Sequence, residues 1–170
     1  MVIFLEYNFI DKNNLSNILK KIYDNVNCFD YTFISNSTDD TLYLASEFAK
    51  KLKKGHIINI NGELGSGKTV FVTGIANYFN ILDQVSSPTF TIVNEYLTKD
   101  NIKINHFDVY RISDSDDFLD SIGTEYFENG VCIIEWGNII EDILPKNTVN
   151  IDIIKDENSE NIRIFRIWRK

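Results

Sequence analysis

Proline is nearly absent, appearing only at Pro88 and Pro145, and the two cysteines, Cys28 and Cys132, stand far apart without pairing or ligand spacing. That pattern excludes a disulfide scaffold and a zinc module. Cys132, inside the apolar run VCII, reads as a small core residue. No apolar stretch reaches the length a bilayer span needs, so no membrane partner is expected. The first residues, MVIFLEYNF, lack the basic start of a signal peptide and are interrupted by Glu6, which makes the cytoplasm the expected setting. Basic residues are outnumbered: 17 Lys and Arg face 25 Asp and Glu, a formal charge of -8. A chain that grips nucleic acid alone carries a basic face. The end is basic, at Arg163, Arg166, Arg169 and Lys170, and that cluster reads as a solvated edge strand and terminus. Arginine is otherwise scarce, since Arg111 is the only one before Arg163.

What the chain does have is material for one core. At 170 residues and 44% hydrophobic it suits a single globular domain. Leu15, Ile18, Leu19, Ile22 and Val26 recur at helical spacing. A second helical stripe, Leu42, Ala45, Phe48, Ala49 and Leu52, opens at the capping residues Ser37 to Asp40 and stops at Gly55. The run HIINI then reads as a buried strand, and KTVFVTGIANYF as a helix. Strands follow in FTIVNEYL, IKINHFDVY and VCIIEW, with a capped helix in SDSDDFLDSI. TVNIDII and IRIFRI form a C-terminal hairpin around polar KDENSEN. The expected class is α/β, a three-layer sandwich on a mostly parallel central sheet with an antiparallel edge.

Between HIINI and its following helix lies INGELGSGKTVF, where Gly62 to Thr69 fits G-x-x-x-x-G-K-[ST] without a mismatch. This makes the fold P-loop NTPase-like. Each residue type has a chemical reason. The glycines Gly62, Gly65 and Gly67, with Glu63, Leu64 and Ser66 between them, let backbone N–H groups turn inward onto phosphate. Lys68 bridges β- and γ-oxygens, the Thr69 hydroxyl ligates Mg²⁺, and the helix start at Thr69 and Val70 offers its positive dipole end. A Mg²⁺-nucleotide also needs an acid at the end of a neighbouring strand. Asp108 ends IKINHFD and Glu135 ends VCIIE; one is suited to the metal and the other to the attacking water, in either order. SSPTFTIVNEY supplies a candidate switch, with Ser87 and Thr89 flanking a stiff Pro88. His56 and His106 lack metal-ligand spacing and read as structural, and Arg111 reads as a surface ion pair.

No N-K-x-D guanine reader is present, so ATP is favoured over GTP as the bound nucleotide, with ADP as its product. An LSGG-type signature and the arginine-rich lid of small-molecule kinases are also missing. What remains is a compact ATPase with few parts. A nucleotide-dependent binding module with incidental turnover and a small P-loop kinase stay open beside it.

Taken together, GELGSGKT, SSPTFTIVNEY, HFDVYRI and CIIEWG resemble, in order and spacing, the bacterial TsaE (YjeE) family of P-loop ATPases. The resemblance runs from about Ser35 to the end. It implies a part in forming threonylcarbamoyladenosine (t6A) on tRNA, with TsaB and TsaD as protein partners and TsaD carrying the transferase chemistry. Hydrolysis by the small ATPase would then reset that complex and be weak without it, with tRNA met only through the partners. By the same resemblance Lys68 and Thr69 bind phosphate and Mg²⁺, Asp108 is the Walker-B-like acid, and Glu135 orders metal or water. Thr38 or Thr41, opening the first family helix, approaches the base. The chain departs from the family at Glu63 and Ser66, and at Ala45 or Ser46, where the family helix carries glycine. Residues 1–34 precede the usual start and are expected to form a helical extension packed on an ATPase domain of residues 35–170.

Overall fold

The structure, a computed structural model, describes residues 8–24, 28–81, 87–88 and 91–169. Its centre is β3 (Ile57–Asn61), which lies parallel to β6 (Val131–Glu135) on one side and β7 (Val149–Lys155) on the other. Ile58 and Ile60 point into one core, and Ile57 into a second core on the opposite face. A strand covered on both faces has no reason to alternate polar and apolar residues, and that is why Ile57 and Ile58 stand side by side, with Asn59 buried and bonded to Asn150.

Around it one sheet runs in the order β1-β2-β8-β7-β3-β6-β5-β4. Here β1 is Asn8–Ile10, β2 Phe29–Ser35, β4 Val93–Leu97, β5 Lys103–Asp108 and β8 Arg163–Arg169. The middle, β7-β3-β6-β5, is parallel, and β4 adds an antiparallel edge on β5. At the other end β7 and β8 form an antiparallel hairpin, to which β2 adds antiparallel and β1 parallel. The first face is covered by α2 (Thr38–Ala49) and α3 (Lys68–Tyr78), through Leu44, Phe48, Phe71 and Ile75. The second is covered by α4 (Ser115–Ser121) and two 3₁₀ segments, Glu125–Phe127 and Gly137–Ile143, through Phe118, Phe127 and Ile140. This is the three-layer α/β arrangement expected. Among the described residues no helix is long and apolar enough to cross a membrane.

Several differences from the sequence reading have physical causes. The second helix ends at Ala49, before Gly55, because the backbone tightens: Lys51 N–H reaches the Phe48 carbonyl and Leu52 N–H the Ala49 carbonyl, each three residues back. Strand β8 lies inside the sheet between β2 and β7, so its arginines do not sit on an edge strand. Residues 1–34, expected to be helical, also contribute the short β1 and nearly all of β2. Residues 8–24 share the first core, since Ile10 and, on α1 (Leu15–Asp24), Leu15, Leu19 and Ile22 are buried with Phe48 and Phe165; Val26, also assigned to that stripe, lies outside the described residues. Helices α2 and α3 meet where Ala45 faces Gly74, and a Cβ on Gly74 would sit 2.6 Å from that of Ala45. One glycine at this crossing is enough to bring the helices together, and here it is on α3.

Candidate nucleotide site

The C-terminal ends of β3, β5 and β6 converge beside the start of α3, the position where open α/β sheets bind ligands. Strand β3 runs straight into the glycine loop. Gly62 has φ +149°, and a Cβ there would lie 2.6 Å from the Ile153 carbonyl, so only glycine lets the loop leave the sheet at this point. Gly67, at φ +105°, is the N-cap residue of α3. Within the loop the Ser66 N–H bonds the Glu63 carbonyl. The Ser66 hydroxyl is buried and has no hydrogen-bond partner among the described residues. A buried hydroxyl without a partner carries a desolvation penalty that a phosphate oxygen can remove.

A cleft of about 420 Å³ opens over this loop and is lined by Lys68, Thr69, Asp108, Glu135, Tyr110 and Trp136, among others. Lys68 is buried at 5% exposure. Its ammonium donates to the carbonyls of Gly62 at 2.8 Å and Glu63 at 3.1 Å, and rests 3.9 Å from the centre of the Trp136 ring. Burial lowers the Lys68 pKa, while the Glu135 and Asp108 carboxylates pull it back up and Lys155 pushes it down. The Thr69 hydroxyl donates to Glu135 Oε1 at 3.2 Å. Asp108 and Glu135 are register partners at the ends of β5 and β6, so both acids point from one sheet end. The Ser87 hydroxyl bonds Asp108 Oδ2, and Tyr110 N–H donates to Asp108 Oδ1 at 3.1 Å.

The sequence-assigned residues thus divide. Lys68, Thr69, Val70, Asp108, Glu135, Leu64, Gly65 and Gly67 line one cleft. Gly62 and Glu63 lie beneath it and accept the lysine ammonium. Ser66 faces a neighbouring cavity of about 240 Å³ that also contains Thr38, Thr41 and Val70. The Thr41 hydroxyl is held there by Ser35 Oγ at 2.8 Å. Thr89 lies outside the described residues.

His106 was read as merely structural, yet its Nε2 sits 3.0 Å from Glu135 Oε1. A carboxylate only accepts, so the imidazole donates. The signal was available: His106 and Asp108 are two apart on one strand and share a face. Trp136, in the left-handed region at φ +65°, folds its indole back over Lys68; nothing in the pattern VCIIEW marks that turn.

The profile of the family described as Threonylcarbamoyl adenosine biosynthesis protein TsaE matches residues 35–164. The chain belongs to the TsaE family. It is 38% identical over 135 residues to the tRNA threonylcarbamoyladenosine biosynthesis protein TsaE of Aquifex aeolicus, covering 78% of this chain and 94% of that one. It is 36% identical over 131 residues to the protein of the same name from Treponema pallidum, covering 75% and 95%. The crystal structure of YdiB from Bacillus subtilis superposes with a TM-score of 0.65 at 29% identity, covering 84% of this chain and 87% of that one. The TsaE match begins at Ser35, the last residue of β2, so β1 and α1 precede the matched region.

Proposed function

We propose that this TsaE-family protein is the ATP-hydrolysing subunit of the machinery that forms threonylcarbamoyladenosine on tRNA, working in the cytoplasm with TsaB and TsaD. One observation carries the hydrolytic part: Lys68, Thr69, Asp108 and Glu135, drawn from α3, β5 and β6, converge on a single cleft beside a glycine loop. Family membership and the names of the relatives support the pathway.

The residues present fit a magnesium nucleotide. Among the described residues no group of three or more His, Cys, Asp or Glu could hold a metal by themselves. Magnesium seldom uses such a cage; it binds through one or two carboxylates and substrate phosphates and keeps several waters. Thr69 with Asp108 and Glu135 is a donor set of that kind, and the ion, when bound, neutralises charge on the phosphates. Lys68 leaves the Gly62 and Glu63 carbonyls to meet the β- and γ-oxygens. The Gly65 and Gly67 amides hold the polyphosphate. Glu135 or Asp108 orients the water that attacks the γ-phosphorus as the bond to the ADP oxygen breaks. Thr38 and Thr41 border the side of the loop where the nucleoside rests. In this reading the modification chemistry belongs to a partner, as the family resemblance implies.

The test joins turnover to pathway. Purified protein should hydrolyse Mg-ATP slowly, and faster with TsaB and TsaD. Depleting it should lower t6A in tRNA, and wild type but not Lys68→Ala should restore it. If Lys68→Ala restored t6A and kept partner-stimulated turnover, the reading would be wrong.

A further inference from the structure

Lys155 ends β7 and Arg163 opens β8, so the two side chains stand at the neck of the C-terminal hairpin, next to the glycine loop. Lys155 Nζ donates to the Leu64 carbonyl at 2.6 Å, and Arg163 Nε to the Ser66 carbonyl at 2.9 Å. In a planar trans peptide the carbonyl of one residue points opposite to the N–H of the next. No cis peptide occurs among the described residues. Drawing the Leu64 oxygen toward Lys155 therefore turns the Gly65 N–H away from the hairpin. The Arg163 bond to Ser66 does the same for the Gly67 N–H.

The side to which those amides turn is the functional one. Gly65 and Gly67 line the cleft that holds Lys68 and the two acids, and neither Lys155 nor Arg163 lines it. Both cations line a cavity of about 490 Å³ on the hairpin side of the loop, which Gly65 also borders, and Arg163 reaches the smaller cavity beside Thr38 and Thr41 as well. Arg163 is also committed elsewhere, since its Nη1 donates to the carbonyls of Glu160 at 2.7 Å and Ile162 at 2.8 Å. It cannot swing into the cleft without giving up both bonds. The loop and hairpin are in backbone contact as well, at Gly62 and the Ile153 carbonyl.

We propose that Lys155 and Arg163 are positioning residues that clasp the phosphate loop from behind and aim the Gly65 and Gly67 amides at the bound phosphate. The inference rests on the nucleotide reading above. It explains why two cations sit beside a phosphate-binding loop without facing the phosphate: they act on carbonyls and so organise the nest of amides that receives the anion. Preorganised donors need no reorientation when the ligand arrives.

The experiment measures ADP binding with Mg²⁺, ATP turnover and thermal stability of the full chain, for wild type, Lys155→Met, Lys155→Arg and Arg163→Gln. Loss of one such hydrogen bond should weaken ADP about fivefold in Lys155→Met, and more in Arg163→Gln. Lys155→Arg, which keeps a donor, should recover wild-type affinity. Amide hydrogen exchange in the nucleotide-free protein gives an independent reading. Gly65 and Gly67 should exchange faster in Lys155→Met and Arg163→Gln, with the Tm of Lys155→Met within about 2 °C of wild type. Wild-type ADP affinity in both Lys155→Met and Arg163→Gln would overturn the clasp. If wild type itself bound no ADP, the nucleotide reading would fail; unchanged exchange at Gly65 and Gly67 would then sink the clasp separately.

Discussion

At the scale of single residues, Glu135 is where the site's geometry is decided. Its Oε1 takes hydrogen bonds from Thr69 on one side and His106 on the other, and the side chain is 3% exposed. A carboxylate held by two donors has one orientation, whichever role it takes in the proposed hydrolysis. His106 carries the longer lever: it is fully buried, and its Nδ1 has no hydrogen-bond partner among the described residues. That unpaired nitrogen costs stability, which argues that the ring is kept for what Nε2 does. His106→Leu removes the unpaired atom together with the bond to Glu135. On the proposed function it should leave Tm unchanged or higher, hold KM for ATP within about twofold, and lower kcat roughly 10- to 100-fold, the usual cost of losing an outer hydrogen bond to a metal ligand. His106→Gln, whose amide nitrogen can stand in for Nε2, should recover part of kcat. An unaltered kcat in the leucine variant would show that His106 merely fills space.

At the scale of elements, legibility followed how local the cause was. Strand β3, the glycine loop and α3 were readable because apolar run, turn chemistry and helix start follow one another in sequence. Asp114, which caps α4 by accepting the Asp117 N–H at 2.9 Å, was readable for the same reason. Strand β2 was missed although Phe29, Tyr31 and Phe33 alternate with Asp30 and Thr32, because its partner β8 lies at the far end of the chain. The clasp was invisible: Lys155 and Leu64 are 91 positions apart, and Arg163 and Ser66 are 97. The turn joining α2 to β3 holds a further long-range contact with a pH signature. Tyr23 of α1 stacks on His56 with ring centroids 4.6 Å apart, and His56 Nδ1 accepts the Lys53 N–H at 3.2 Å. Burial, then the charges of Lys53 and Arg169, lower the His56 pKa below its ordinary 6.5. A depressed histidine binds its proton more readily unfolded than folded. Stability is therefore undiminished above the unfolded value, and falls as pH drops from 6.5 through the lower folded pKa. Thermal melts across that window should show Tm falling with pH in wild type and falling less in His56→Asn, which retains an acceptor for Lys53. Parallel profiles for the two proteins would refute the linkage.

At the scale of the whole molecule, charge and architecture together bear on what this protein touches. The net charge is -8, and the three arginines near the C-terminus already have partners in the fold. Arg163 holds loop carbonyls, Arg166 forms a two-pronged pair with Asp30 across β2 and β8, and Arg169 is buried against the Phe29 ring. A phosphate backbone would have to displace those partners, on a chain whose net charge is -8. The arginines that the sequence marks as a solvated edge strand and terminus are thus sheet glue and loop support. Affinity for tRNA rises with the number of phosphates that cations neutralise; Lys50, Lys53 and Lys54, just after α2, are exposed, but the chain as a whole is acidic. Gel-shift titration of tRNA with the protein alone, at ~0.1 M salt, should give a Kd weaker than about 10 µM. Binding should become tight only when TsaB and TsaD are added. A tight complex with the isolated chain, steeply weakened by salt and by Arg166→Gln, would overturn this reading. It would place a tRNA contact on the β2–β8 face and make this protein a tRNA-binding subunit in its own right.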